Sequence, residues 1–149
     1  MNVISIDPGH TTGVCIAQTT PDSFEVVKTL EIPWAHRFGG LQTLLGGTYT
    51  IQGVPLTPEA VVIENFRLRP DKAHSQIGQT FPSSQIIGIV QAFLYAAGYL
   101  EILEVQEPGQ RTRVKILDNH KEMVSGSQHL KDAYQHARYY WIKHVRSNS

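Results

Sequence analysis

The apolar positions of this chain fall into short runs parted by turn-forming residues, and the period of the runs changes along its length. Val3-Ile4-Ser5-Ile6 reads as a buried strand over residues 2 to 7, ended by Asp7 and the turn Pro8-Gly9. Residues 13 to 18 predict a second strand, and residues 24 to 32, which alternate imperfectly, a third and half-exposed one; the three make a meander. Phe38, Leu41, Leu44 and Leu45 stand at helical spacing and predict a short helix between Trp34 and Gly47, after which residues 46 to 58 read as a loop or small excursion. Ala60-Val61-Val62-Ile63 is another buried strand, again closed by an acid, Glu64, and suited to parallel pairing beside the first. Residues 67 to 82 show no sustained period. Ser83-Ser84 can cap a helix whose Ile86, Ile87, Val90, Phe93, Leu94 and Ala97 form an apolar face, with Gly98 as its end. A fifth strand over residues 101 to 105, a short helix over 111 to 117, a loop over 118 to 127 and a closing helix from Gln128 to Val145 complete the reading. The result is an α/β chain with a mixed five-stranded sheet flanked by helices.

Composition narrows this only a little. The 149 residues suffice for one domain that buries roughly two-thirds of its unfolded surface. A hydrophobic share of 41% with 17% charged residues describes a soluble globular protein, and no apolar stretch reaches the length of a membrane span. The N-terminus lacks the basic-then-apolar pattern of a secretory leader, so a cytoplasmic location is expected, in the host cell if the chain is phage-encoded. Cys15, the single cysteine, lies among Val14, Ile16 and Ala17 and reads as a packing residue. With 13 basic against 13 acidic residues, any nucleic-acid surface must be local. Two tracts offer one: Arg67, Arg69, Lys72 and His74 after Glu64, and Arg111, Arg113 and Lys115 further on.

Two acids that end buried strands are poorly placed for stability and well placed to hold a cation. His129 and Asp132, three apart in the closing helix, share a face. These positions can converge on one divalent-metal site. A phosphodiester is hydrolysed without covalent help from the protein when two metals about 3.5–4 Å apart activate water and stabilise the leaving oxygen. In that role Asp7 bridges the metals, Glu64 holds the first, and Asp132 with His129 completes the second, while His136 reaches the same edge as a supporting residue. Each element also has a plainer reading: Asp7 as a turn residue, Glu64 at a solvated sheet end, His129 and Asp132 as helix-start residues, and Tyr134, Tyr139, Tyr140 and Trp141 as core or dimer surface.

The order of elements resembles the ribonuclease H-like fold. Ile4-Ser5-Ile6-Asp7-Pro8-Gly9 with Thr12-Gly13, then Val61-Val62-Ile63-Glu64, then the helix bearing Gln85, Gly88 and Val90, and last Lys131-Asp132-Ala133 with His136-Ala137, together resemble RuvC-type Holliday junction resolvases, phage-encoded members above all. The resemblance spans nearly the whole chain. It implies a homodimeric endonuclease, dependent on Mg²⁺ or Mn²⁺ with two ions per active site, that nicks two strands of a four-way DNA junction. Asp7, Glu64 and Asp132 would be its catalytic carboxylates, with His129 where most members carry a further acid. It also implies that residues 67 to 82, with Phe66 and Phe81 at the ends, probe the junction centre. Lys115 is either a residue approaching the scissile phosphate or an ordinary surface lysine. Large apolar residues on the helix over 83 to 97 make it the candidate dimer surface. The neutral charge departs from the more basic family. Three other readings compete. The loop after Asp7 also resembles the phosphate loop of sugar kinases and actin-like ATPases, which need two lobes where this chain has length for one. A non-catalytic ribonuclease H-like binding module would gain nothing from clustered acids facing an anionic ligand. A nuclease of RNA–DNA hybrids or other branched DNA would share the same metal chemistry.

Overall fold

A computed structural model describes residues 1–66, 81–118 and 126–147 of the chain and, within them, the side chains other than those of residues 115–118. Strands β1 (Asn2–Asp7), β2 (Thr11–Thr20) and β3 (Ser23–Pro33) form the meander. A 3₁₀ turn at Trp34–His36, helix α1 (Arg37–Leu45) and the small hairpin β4 (Thr50–Ile51) and β5 (Val54–Pro55) lead to β6 (Ala60–Glu64). Helix α2 (Pro82–Ala97) precedes β7 (Leu103–Gln106), helix α3 (Gly109–Asp118) and helix α4 (Gln128–Tyr140), which runs on into a wider π turn at Trp141–Val145.

The main sheet has the order β3-β2-β1-β6-β7, antiparallel across β3, β2 and β1 and parallel across β1, β6 and β7. β1 and β6 are therefore covered on both faces, which is why their central residues, Ser5 aside, are apolar rather than alternating. The two-residue period of a strand divides their side chains between two cores. Ile4, Ile6, Val61 and Ile63 pack with Leu41, Leu44 and Leu45 of α1 and Ile86, Val90 and Leu94 of α2. Val3, Ala60 and Val62 pack with Cys15 and with Ala133, Tyr134 and Ala137 of α4. Asp7 follows Val3 and Ser5, and Glu64 follows Ala60 and Val62, so both acids fall on the α4 face.

Several local expectations change. β2 and β3 are longer than predicted and pair through a bulge between Ile16 and Ala17, because backbone pairing rather than an apolar pattern carries them to the sheet edge. The last strand begins at Leu103 rather than Glu101, residues 100 to 102 forming a 3₁₀ turn. Ser83 and Ser84 do not cap α2: Phe81 is the N-cap without a side-chain bond, and Pro82 opens the helix. The Ser83 hydroxyl instead donates to the Pro8 carbonyl at 2.9 Å, tying α2 to the turn behind Asp7. Tyr134, Tyr139 and Trp141 are buried, and burial pushes the Cys15 thiol up to about 12, which leaves it unreactive. Among the described residues no helix is long and apolar enough to cross a membrane.

Candidate active site

The parallel register Ile6↔Ile63 sets Asp7 and Glu64 side by side at the C-terminal ends of β1 and β6. The first turn of α4 is brought over them by two local devices. Ser127 caps the helix, its hydroxyl accepting from the Leu130 amide at 3.4 Å and also bonding to Glu31 on β3. Gly13, opposite Asp7 in the β1–β2 register, leaves room for the helix backbone: a Cβ there would lie 2.4 Å from the His129 carbonyl oxygen. His129 Nδ1 then stands 2.9 Å from Asp7 Oδ2, and Asp132 follows one turn on. Since Ser127 is the cap, neither His129 nor Asp132 is needed for that role.

The charges are packed closely enough to reset one another. Burial raises the Asp7 carboxyl and the neighbouring acids Glu64 and Asp132 raise it further; the His129 hydrogen bond only partly opposes them, and it comes to about 7. Burial would also raise Glu64, but hydrogen bonds from His136 and Arg111, with the Arg111 charge, outweigh it and hold Glu64 at about 2. Asp7 thus carries the proton of the pair near neutrality. Arg111, in the first turn of α3, places Nε 2.6 Å from Glu64 Oε1 and Nη1 3.2 Å from Asp132 Oδ1. Burial alone would lower its pKa; Glu64, Asp132 and Asp7 more than reverse that. Gln128 Nε2 donates to Asp132 Oδ1 at 2.7 Å.

Behind Glu64 runs a chain of hydrogen bonds. Gln106 lies beside Glu64 in the β6–β7 register, and its amide nitrogen donates to Glu104 Oε2 at 2.7 Å. Its oxygen is thereby left to accept from Nδ1 of the fully buried His136, also at 2.7 Å, while His136 Nε2 meets Glu64 Oε1 at 3.1 Å. Glu104 Oε1 accepts from His144 Nε2 at 2.6 Å.

This architecture matches over nearly its whole length a solved structure of T. thermophilus RuvC in complex with a Holliday junction substrate. The TM-score is 0.64, with 17% sequence identity, over 97% of this chain and 96% of that one. The fold is ribonuclease H-like. No protein-family profile matches the chain, and no curated protein does.

Within this ribonuclease H-like frame the structure brings together Asp7, Glu64, His129 and Asp132, sets His136 against Glu64 as the supporting residue expected there, and adds Arg111. Arg111, read from the sequence as part of a basic tract, is turned in among the acids, whereas Arg113 is exposed on α3. Arg67, Arg69, Lys72, His74 and the Lys115 side chain lie outside the described residues; at the edges of the first of these tracts the Phe66 and Phe81 rings pack 5.0 Å apart. Gln106 was missed, although Glu104 and Gln106 alternate onto the same face as Glu64 once the strands are paired. Among the described residues no three His, Cys, Asp or Glu side chains are gathered closely enough, as they stand, to hold a metal ion. Glu64 and Asp132 are both engaged by Arg111, and Asp7 by His129. The donor set nevertheless fits a divalent cation in kind: the carboxylates of Glu64 and Asp132 and the imidazole of His129 around a third acid, Asp7, whose ionisation is unfavourable without a nearby positive charge.

Proposed function

We propose that this protein is a structure-selective endonuclease that hydrolyses phosphodiester bonds of branched DNA, resolving four-way junctions by paired nicks with Mg²⁺ or Mn²⁺, two ions per active site. The observation that carries this reading is the convergence of Asp7, Glu64 and Asp132, from β1, β6 and α4, on one end of the sheet. The likeness to RuvC, solved on a junction, supports the choice of substrate. Bound divalent cations supply an activated water and stabilise the leaving oxygen. The chain's own residues hold and prepare that site. Asp7, beside Glu64 and within the field of Asp132, would give up its proton to a bound cation, and His129 and Asp132 would complete the donor set from α4. His136, itself oriented by Gln106, keeps the Glu64 carboxylate turned into the site. Lys115 approaches the scissile phosphate, and Arg67, Arg69, Lys72 and Arg113 contact the DNA backbone. Arg111 joins them once clear of the acids. Two opposed strands require two sites, hence a homodimer, for which α2 offers the partly buried Ile89 and Phe93, one turn apart on one face of the helix.

The test is to incubate the protein and its Asp7→Asn, Glu64→Gln and Asp132→Asn variants with Mg²⁺ and four-way junction, fork, duplex and RNA–DNA hybrid. Paired nicks in the junction are expected, with each variant slowed by about 10²–10³-fold or more while its fold survives. Full activity in excess chelator, or wild-type rates in the variants, would refute the assignment. Preference for the hybrid, or single nicks by a species that light scattering shows to be monomeric, would move the substrate to the corresponding class.

A further inference from the structure

The guanidinium of Arg111 sits where a cation is most needed. Its Nε lies 2.6 Å from Glu64 Oε1 and its Nη1 3.2 Å from Asp132 Oδ1, so one planar group spans acids from a strand and a helix. Glu64, Asp132 and Asp7 are all largely withdrawn from water, and acids gathered in this way need a compensating positive charge for the fold to close over them. Arg113, two residues on, is exposed, so the basic character of α3 does not by itself draw its arginines inward. Glu64 Oε1 receives both Arg111 Nε and His136 Nε2, which commits it to nitrogen donors. A Mg²⁺ ion binds carboxylate oxygen at about 2.0–2.1 Å. At that distance on Glu64 Oε1 it would stand within a few ångströms of the guanidinium, where two positive charges repel strongly in a site so poor in water. The Arg111 side chain is 30% exposed, so its tip has a way out that does not require α3 to unfold.

We propose that Arg111 is the resident cation of the metal-free site, occupying the position between Glu64 and Asp132 that a divalent ion takes and exchanging with that ion. The inference rests on the metal-dependent reading above and deepens it. Arg111 is a positioning residue: it keeps Glu64 and Asp132 paired and in place until metal arrives, and the metal-ready arrangement is only the fraction in which the guanidinium has left. The apparent metal affinity is lowered by that fraction. An arginine that merely fastened α3 to the sheet would act in the opposite sense, since its loss would loosen the ligands and weaken metal binding.

Titration of the full chain with Mn²⁺, followed by the spectroscopic signal of free Mn²⁺ and by calorimetry, separates the two. For Arg111→Gln the apparent Kd is expected to fall by about tenfold or more, and Mn²⁺ should raise its melting temperature by more than it raises that of the wild type. Arg111→Lys keeps the charge without the fork and should lie between. An Arg111→Gln protein that folds only when Mn²⁺ is added would also support the exchange. An unchanged or weakened Kd in both variants overturns it, as does an Arg111→Gln protein that fails to fold with Mn²⁺ together with an unchanged Kd in Arg111→Lys. If neither wild type nor variants bind Mn²⁺, the metal-dependent reading itself fails and the exchange falls with it.

Discussion

Gly13→Ala adds one methyl group at the point where β2 meets the first turn of α4. In the wild type that Cβ position is 2.4 Å from the His129 carbonyl oxygen, 2.5 Å from its carbonyl carbon and 2.8 Å from its Cβ. Ordinary contact begins near 3.4 Å, so the helix start must retreat by about 1 Å or the strand must sink into the sheet by as much. The obstacle is backbone on both sides, so no side-chain rotation relieves it. Overpacking of this kind costs about 1–3 kcal/mol, and at this chain length each kcal/mol lowers the melting temperature by about 2–4 °C. His129 and Asp132 ride on the displaced turn, and a shift of 1 Å in a reacting geometry costs about a hundredfold in rate. Thermal unfolding with and without Mn²⁺, together with junction cleavage under single-turnover conditions, measures both effects. Gly39→Ala is the control: nothing lies within 4 Å of its Cβ position in the first turn of α1, so the substitution should be stabilising by up to about 0.5–1 kcal/mol. A Gly13→Ala protein with wild-type stability and activity would refute the close-approach argument.

Two further expectations concern the acids and the imidazole. In metal-free protein, stability should fall as pH rises from 3.8 to about 7: folded Asp7 keeps its proton to about 7 while the unfolded chain loses it near 3.8, so the folded state binds more protons across that window. Glu64 acts in the opposite sense at lower pH, its contribution being lost as pH falls from 4.5 towards about 2. Denaturant unfolding across this range should show a slope that Asp7→Asn flattens; the same slope in both proteins would reject the raised carboxyl. Imidazole is a softer ligand than carboxylate, so His129→Asp should lower the ratio of Mn²⁺- to Mg²⁺-supported cleavage, and an unchanged ratio would remove His129 from the ligand set.

Much of this arrangement is legible in the order of residues. The two apolar runs identify β1 and β6 as strands covered on both faces, their terminal acids mark one end of the sheet, and the spacing of His129 and Asp132 puts them on one side of a helix. These are local consequences of the period of a strand and the pitch of a helix, which neighbouring residues determine among themselves. The partners were decided only when the chain closed. Arg111 reaches Glu64 across 47 positions of sequence, and Asp7 meets His129 across 122. No pattern of spacing distinguishes Arg111, turned inward, from Arg113, turned out. The same holds for Gln106, whose place behind Glu64 follows from the β6–β7 register. The protonation of Asp7 is likewise a tertiary property. It depends on how much water and how many charges the fold leaves around a carboxyl, and those are set by distances through space rather than along the chain.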